Sequence, residues 1–175
     1  MVVTVELNDA DLIKALERAA RAVTDMTPLM QEIGEMLVES TKARFPEGVS
    51  PEGTPWAPKS QSTIDTYRRR EAKGKNASLD FRPLFGPSRM LSSQIHYEAG
   101  PNQVEWGSNR IYAAVMQLGA AKGAFGSDAK GHPMPWGDIP AREFLGLSDT
   151  DRTNIGAAVN EWLQLRATAG SPDNE

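Results

Sequence analysis

Gln94-Ile95-His96-Tyr97-Glu98-Ala99-Gly100-Pro101-Asn102-Gln103-Val104-Glu105-Trp106 is the stretch that decides the fold class. Ile95, Tyr97 and Ala99 alternate with Gln94, His96 and Glu98, and Val104 and Trp106 alternate with Gln103 and Glu105. Successive side chains of a strand point to opposite faces, so this pattern predicts two strands, each with one buried face. Gly100-Pro101-Asn102 supplies the turn between them. A β-hairpin is therefore expected here.

Downstream, residues 111–118 predict a short helix ended by Gly119. Residues 119–139 have no periodic pattern and are rich in Gly, Ala and Pro, which reads as a long flexible loop. Residues 142–147 suggest a short final strand. Ser148, with Asp151 three residues on, has the spacing of a capping box opening the last helix. Ile155, Ala158, Val159, Trp162, Leu163 and Leu165 form that helix's apolar side.

Upstream, residues 60–73 predict a helix with Ile64 and Tyr67 inward and Arg68, Arg69 and Arg70 in water. The segments 46–59 and 74–89 are punctuated by Pro and Gly and read as irregular. Thr27-Pro28 opens a helix whose stripe is Leu29, Met30, Ile33, Met36, Leu37 and Phe45, with Pro46 as its stop. Gly34 inside it suggests a close approach to another backbone. Asn8 and Asp9 can cap a further helix over 10–23, and residues 2–7 read as a strand. The sum is an α+β domain. It has a small antiparallel or mixed sheet with a β-hairpin, longer helices packed on one face, and long Gly/Pro-rich loops. Residues 1–167 form a single domain and 168–175 a flexible C-terminal tail.

Composition narrows the function. At 175 residues and 39% hydrophobic content the chain can bury a core of its own. No apolar run is long enough to span a membrane, and the N-terminus has no secretory pattern, so the chain is expected to stay in the cytoplasm where it is made. The absence of cysteine removes disulfides, thiolate metal sites and cysteine nucleophiles. A formal charge of −4 argues against a DNA-coating role, which needs a basic face.

Catalytic patterns are missing. His96 and His132 have no spaced partners for a metal. The glycines at 119, 123, 126 and 131 fit neither a phosphate loop nor a dinucleotide fingerprint, and no nucleophile elbow is present. No catalytic residue, metal or cofactor is assigned, and the chain is not expected to be an enzyme. Arg68-Arg69-Arg70 is the best nucleic-acid candidate and has three readings: a solvated helix face, charge pairing with an acidic surface on a neighbouring subunit or partner, or direct DNA binding. Trp106 and Trp162 sit on periodic faces and are expected in the core. Trp56 and Trp136 lie in Pro/Gly loops, where each could cover its own core or anchor in a neighbour's pocket.

Several blocks together resemble the phage virion morphogenesis family, which includes tail-completion proteins of P2-like phages and a related tail protein of Mu-like phages. They are Arg44-Phe45, then Pro51-Glu52-Gly53-Thr54-Pro55-Trp56-Ala57-Pro58 and Thr63. Val104-Glu105-Trp106-Gly107-Ser108 follows, then Tyr112-Ala113-Ala114-Val115-Met116-Gln117-Leu118-Gly119. The last block is Ile139-Pro140-Ala141-Arg142-Glu143-Phe144-Leu145-Gly146-Leu147-Ser148. The resemblance spans residues 2–166, and its force lies in the order of the blocks. Two places depart from the family. A Thr-Gly-x-Leu turn before the hairpin is replaced by Phe85-Gly86-Pro87-Ser88-Arg89-Met90-Leu91, and Met116 stands where a histidine is common.

The resemblance implies a structural virion protein that completes or terminates the tail and joins it to the head. It implies a ring of copies, by analogy a hexamer, touching the tail tube protein on one side and a connector or stopper protein on the other. DNA would pass through the lumen without specific binding. The protein would reside in the tail or neck of the virion, and in the host cytoplasm during assembly. A non-virion chaperone or scaffold is the alternative. The candidate interface residues are Trp56, Arg68, Arg69, Arg70, Tyr112, Gln117, Trp136, Pro140, Arg142 and Phe144. In that reading Pro140 stiffens the exit of the loop, and Arg142 offers a fork to a carboxylate or carbonyl. Phe144 and Leu145 point to opposite faces of a strand. The competing reading is that these residues fasten the loop to the chain's own core.

Overall fold

The computed structural model describes residues 17, 20, 24–73 and 80–168. Glu17 and Ala20 are helical; the strand expected over 2–7 and most of the helix expected over 10–23 lie outside the described residues. So do residues 74–79 and all but the first residue of the expected tail. The described elements are α1 (Thr27–Glu47), α2 (Gln61–Ala72), α3 (Met90–Ser93), β1 (His96–Ala99), β2 (Val104–Gly107), α4 (Ala113–Leu118) and α5 (Asp149–Thr168). The fold is α+β.

β1 and β2 form the expected antiparallel hairpin, with Tyr97 opposite Trp106 and Ala99 opposite Val104. These four are half-buried, while His96, Glu98 and Glu105 face water, as the alternation requires. Gly100 N–H donates to the Gln103 carbonyl at 2.8 Å and closes the turn. A two-stranded hairpin is marginal alone, and α1 supplies the missing cover by lying across both strands. The Met26 N–H bonds the Pro101 carbonyl at 2.8 Å, tying the start of α1 to the hairpin turn. α5 packs on α1, so among the described helices α1 alone covers the sheet broadly.

α1 starts where Thr27-Pro28 predicts it, but Thr27 is its first residue and not its cap: Met26 holds the cap position without a side-chain bond, and Asp25 Oδ1, one residue earlier, accepts from the Thr27 N–H at 2.9 Å. Its C-terminus corrects the sequence reading. Pro46 lies inside the last turn, and Gly48, at φ +71°, ends the helix. Near a C-terminus proline forfeits only one amide donor, whereas the left-handed residue turns the chain away. Gly34 does mark a close approach, but to a side chain and not a backbone. A Cβ there would sit 2.6 Å from Cγ of Tyr97.

Two apolar clusters share the interior. In the first, Phe45 is the hub, with ring centroids 5.5 Å from Trp56, 6.2 Å from Phe85 and 5.6 Å from Phe144. Leu91, Ile95 and Ala113 complete it. The second joins Leu29, Ile33 and Leu37 of α1 to Ala158 of α5, with Ile155, Val159 and Trp162 alongside. Trp106 packs against both. Leu163 and Leu165, expected on the apolar side of α5, are exposed. Leu163, five residues beyond Ala158, is off the stripe that faces α1, whereas Leu165, seven residues on, keeps the helical phase and is exposed all the same.

Residues 142–147 form no strand. Residues 120–139 are not a structureless loop either: they fold back on themselves as an arm. Ala120 and Ile139 exchange backbone hydrogen bonds of 2.9 and 2.7 Å at its root. Further out, Gly123 N–H meets the Pro135 carbonyl, Phe125 N–H the Met134 carbonyl, and Asp128 N–H the His132 carbonyl. At the tip, Asp128 Oδ1 accepts from the Lys130 and His132 amides. Backbone pairing, invisible in a pattern of side chains, gives this segment its form.

Candidate functional site

The family-like blocks converge on the segment 142–148, and the structure shows what holds it. Gln117, on α4, works as a surrogate strand. Its Oε1 accepts from the Phe144 and Leu145 amides at 2.9 and 3.0 Å, and its Nε2 donates to the Leu145 carbonyl at 2.9 Å. Arg142 N–H bonds the Met116 carbonyl at 2.8 Å. Trp56 Nε1 donates to the Glu143 carbonyl at 2.9 Å. The Arg142 guanidinium takes the Ala57 and Pro58 carbonyls at 2.7 and 2.8 Å. Side chains satisfy the backbone groups that a sheet ladder would otherwise pair, which is why the expected strand is unnecessary.

Beneath this segment lies a buried ion pair. Arg44 reaches Asp151 Oδ2 at 2.5 Å, and also donates to the carbonyls of Phe144 and Gly146 at 3.1 and 2.9 Å. Asp151 in turn caps α5: Ser148 N–H donates to it at 2.8 Å, and its own N–H donates to Ser148 Oγ at 3.1 Å. This is the capping box the spacing predicts. Burial pushes the Asp151 carboxyl up, but hydrogen bonds from Ser40 and Ser148 and the Arg44 charge outweigh it and hold the carboxyl below its ordinary value.

A second anchor organises residues 80–89. Arg82 binds Asp80 through two nitrogens, Nη2 at 2.5 Å, and lies 4.3 Å over the Phe85 ring. Hydrogen bonding from Arg82 is the largest influence on Asp80 and holds its carboxyl down at about 2. Lys59 donates to the carbonyls of Asp80 and Phe85, which ties the end of the first Pro/Gly loop to this segment.

Outside these clamps the surface is unusual. Trp136 is 75% exposed, Phe125 56% and Ile111 98%, and Met134 and Leu118 are exposed as well. Between α2, residues 84–91 and the exit of the arm runs an open, largely apolar groove of about 490 Å³. On the hairpin's outer face Glu98 stands directly opposite Glu105. Among the described residues no group of His, Asp or Glu is arranged to hold a metal ion. No described helix is long and apolar enough to cross a membrane.

The ten candidate interface residues divide cleanly by placement. Trp56, Gln117, Arg142 and Phe144 are directed into the chain's own structure, and Phe144 is 0% exposed. Arg68, Arg69, Arg70, Tyr112, Trp136 and Pro140 are exposed. The even choice between Trp56 and Trp136 thus resolves in opposite directions: one indole covers its own core and the other stands in solvent. Arg44 and Asp151 escaped the sequence reading as a pair because 107 residues separate them. One signal was present: Arg44 falls on the buried stripe after Leu37 and Thr41, where a charged residue demands an internal partner.

No curated protein and no solved structure gives a significant match to the chain. The model of the phage virion morphogenesis family matches residues 7–164, which takes in every element described above except the last four residues of α5. The chain belongs to the phage virion morphogenesis family, and its role lies in building a bacteriophage particle.

Proposed function

We propose that this protein completes or terminates the phage tail and mediates its joining to the head, as one subunit of a homo-oligomeric ring. The observation that carries the reading is the disposition of large apolar side chains. Trp56, Gln117, Arg142 and Phe144 of the family-like blocks lock the chain's own interior, while Trp136, Phe125 and Ile111, outside those blocks, are left in water. Such exposure marks surfaces that are covered in an assembly. The work is mechanical and needs no catalytic group: subunits bury their flanks on each other, one face of the ring meets the tail tube, and the other meets the connector or stopper. A net charge of −4 suits a lumen through which DNA slides without sticking.

Mass photometry of the purified protein should give a single closed oligomer, and a phage lacking the gene should accumulate tails and heads that do not join. A strict monomer that also fails to bind tails would count against the reading. Absence of the protein from purified virions would favour instead a scaffold that leaves before maturation.

A further inference from the structure

We propose that the arm of residues 120–139 docks into the apolar groove of a neighbouring copy of this chain, with Trp136 and Phe125 as its anchors. The inference rests on the reading that the chain assembles with itself, and it names the contact. The groove's floor and wall are Tyr67, Leu84, Phe85, Leu91, Met116 and Ile139, and its volume of about 490 Å³ has room for aromatic side chains. Lys59 also lines it, with Nζ 4.8 Å from the Tyr67 ring centroid and bonded to the carbonyls of Asp80 and Phe85, which holds the two sides of the groove together.

The same molecule carries the complement. The arm rises from the groove's own wall, since Ile139 belongs to both, yet Phe125, Met134 and Trp136 take no part in the lining. The arm therefore leaves its own groove open while holding three large apolar side chains in water. An aromatic side chain buries roughly 150–250 Å², and with Trp136 75% and Phe125 56% exposed the two together still offer on the order of 250 Å². A stable interface takes about 800 Å² from each partner. The two anchors would supply roughly a third of that, and the remainder must come from the rest of the arm and the surface around the groove. Because knob and groove are different surfaces, the contact runs head to tail, and repetition closes a ring when the rotation allows.

The cysteine-free chain gives a clean test. One variant carries Ala124→Cys beside Phe125, a second carries Ser88→Cys on the groove lining, and a third carries both. A short bismaleimide should link the two single variants to each other when they are mixed, and should turn the double variant into a ladder of multimers. Each single variant alone should remain uncrosslinked. Trp136→Ala combined with Phe125→Ala should raise the concentration for half-association at least tenfold while leaving the unfolding temperature unchanged. If the wild type forms an oligomer but the ladder is absent and the double alanine variant assembles normally, the arm contact is wrong and self-assembly stands. A crosslink confined within one chain also overturns it. If the wild type is monomeric at every concentration, the arm contact is wrong; if it also fails to bind purified tails, the tail-completion reading falls with it.

Discussion

At the residue scale one guanidinium, Arg44, serves a carboxylate, a hydroxyl and two backbone carbonyls at once. Its fork geometry makes this possible, and a lysine could not replace it. Asp151→Ala would strand that charge in the interior and remove the α5 cap as well. The expected cost is roughly 3–5 kcal/mol, read from urea unfolding. The pH dependence follows from the lowered carboxyls. Asp151 and Asp80 titrate below their ordinary 3.8 in the folded protein, so each contributes stability in full above that value. The contribution is lost as the pH falls through the folded values, about 2 for Asp80. Unfolding temperature should therefore begin to drop below about pH 4, and Asp151→Asn should flatten part of that drop. Gly34 is a further case. Alanine there gains about 1 kcal/mol of helix propensity but drives a methyl into the Tyr97 ring. The net effect should be destabilising. In a Tyr97→Ala background the same change should stabilise, and a double-mutant cycle measures the reversal.

At the scale of elements, extended segments are held in two ways. The hairpin uses a backbone ladder and can be read from alternation. Residues 142–147 use Gln117, Trp56 and Arg44 instead, and these come from distant points in the chain. Gln117→Leu should leave the Phe144 and Leu145 amides without acceptors. At about 1–3 kcal/mol for each buried orphan, a total near 3 kcal/mol is expected. Amide hydrogen exchange at Phe144 and Leu145 should quicken selectively. Helices α1 and α5 were legible because burial on one side imposes a 3.6-residue period. The end of α1 was misplaced because Pro46 is a stronger mark in sequence than Gly48, although it is the glycine's left-handed backbone that turns the chain.

At the scale of the whole molecule, the interior is closed and the arm is added to it. Ala120 and Ile139 already face each other through two hydrogen bonds, so the arm can be cut at its root. Replacing residues 122–137 with Asn-Gly should leave the unfolding temperature within a few degrees of wild type and abolish self-association by mass photometry. Loss of the fold would instead mean that the arm supports the core. Arg68, Arg69 and Arg70 stand exposed on α2. Their replacement by alanine should change stability by less than about 0.5 kcal/mol, which leaves any effect on assembly free of a folding defect.

The sequence by itself determined the α+β class, the hairpin and its inward faces, the capped start of α5, and the family through the order of its blocks. Each of these is local, written in periodicity, capping or the succession of short motifs along the chain. The tertiary structure decided the rest: that Trp56 is buried and Trp136 bare, that Arg44 meets Asp151, and that 120–139 pairs with itself. Those outcomes depend on which distant groups are brought within hydrogen-bond reach. Side-chain pattern along a chain carries no record of that, because the closing of long loops, not the local period, sets who meets whom.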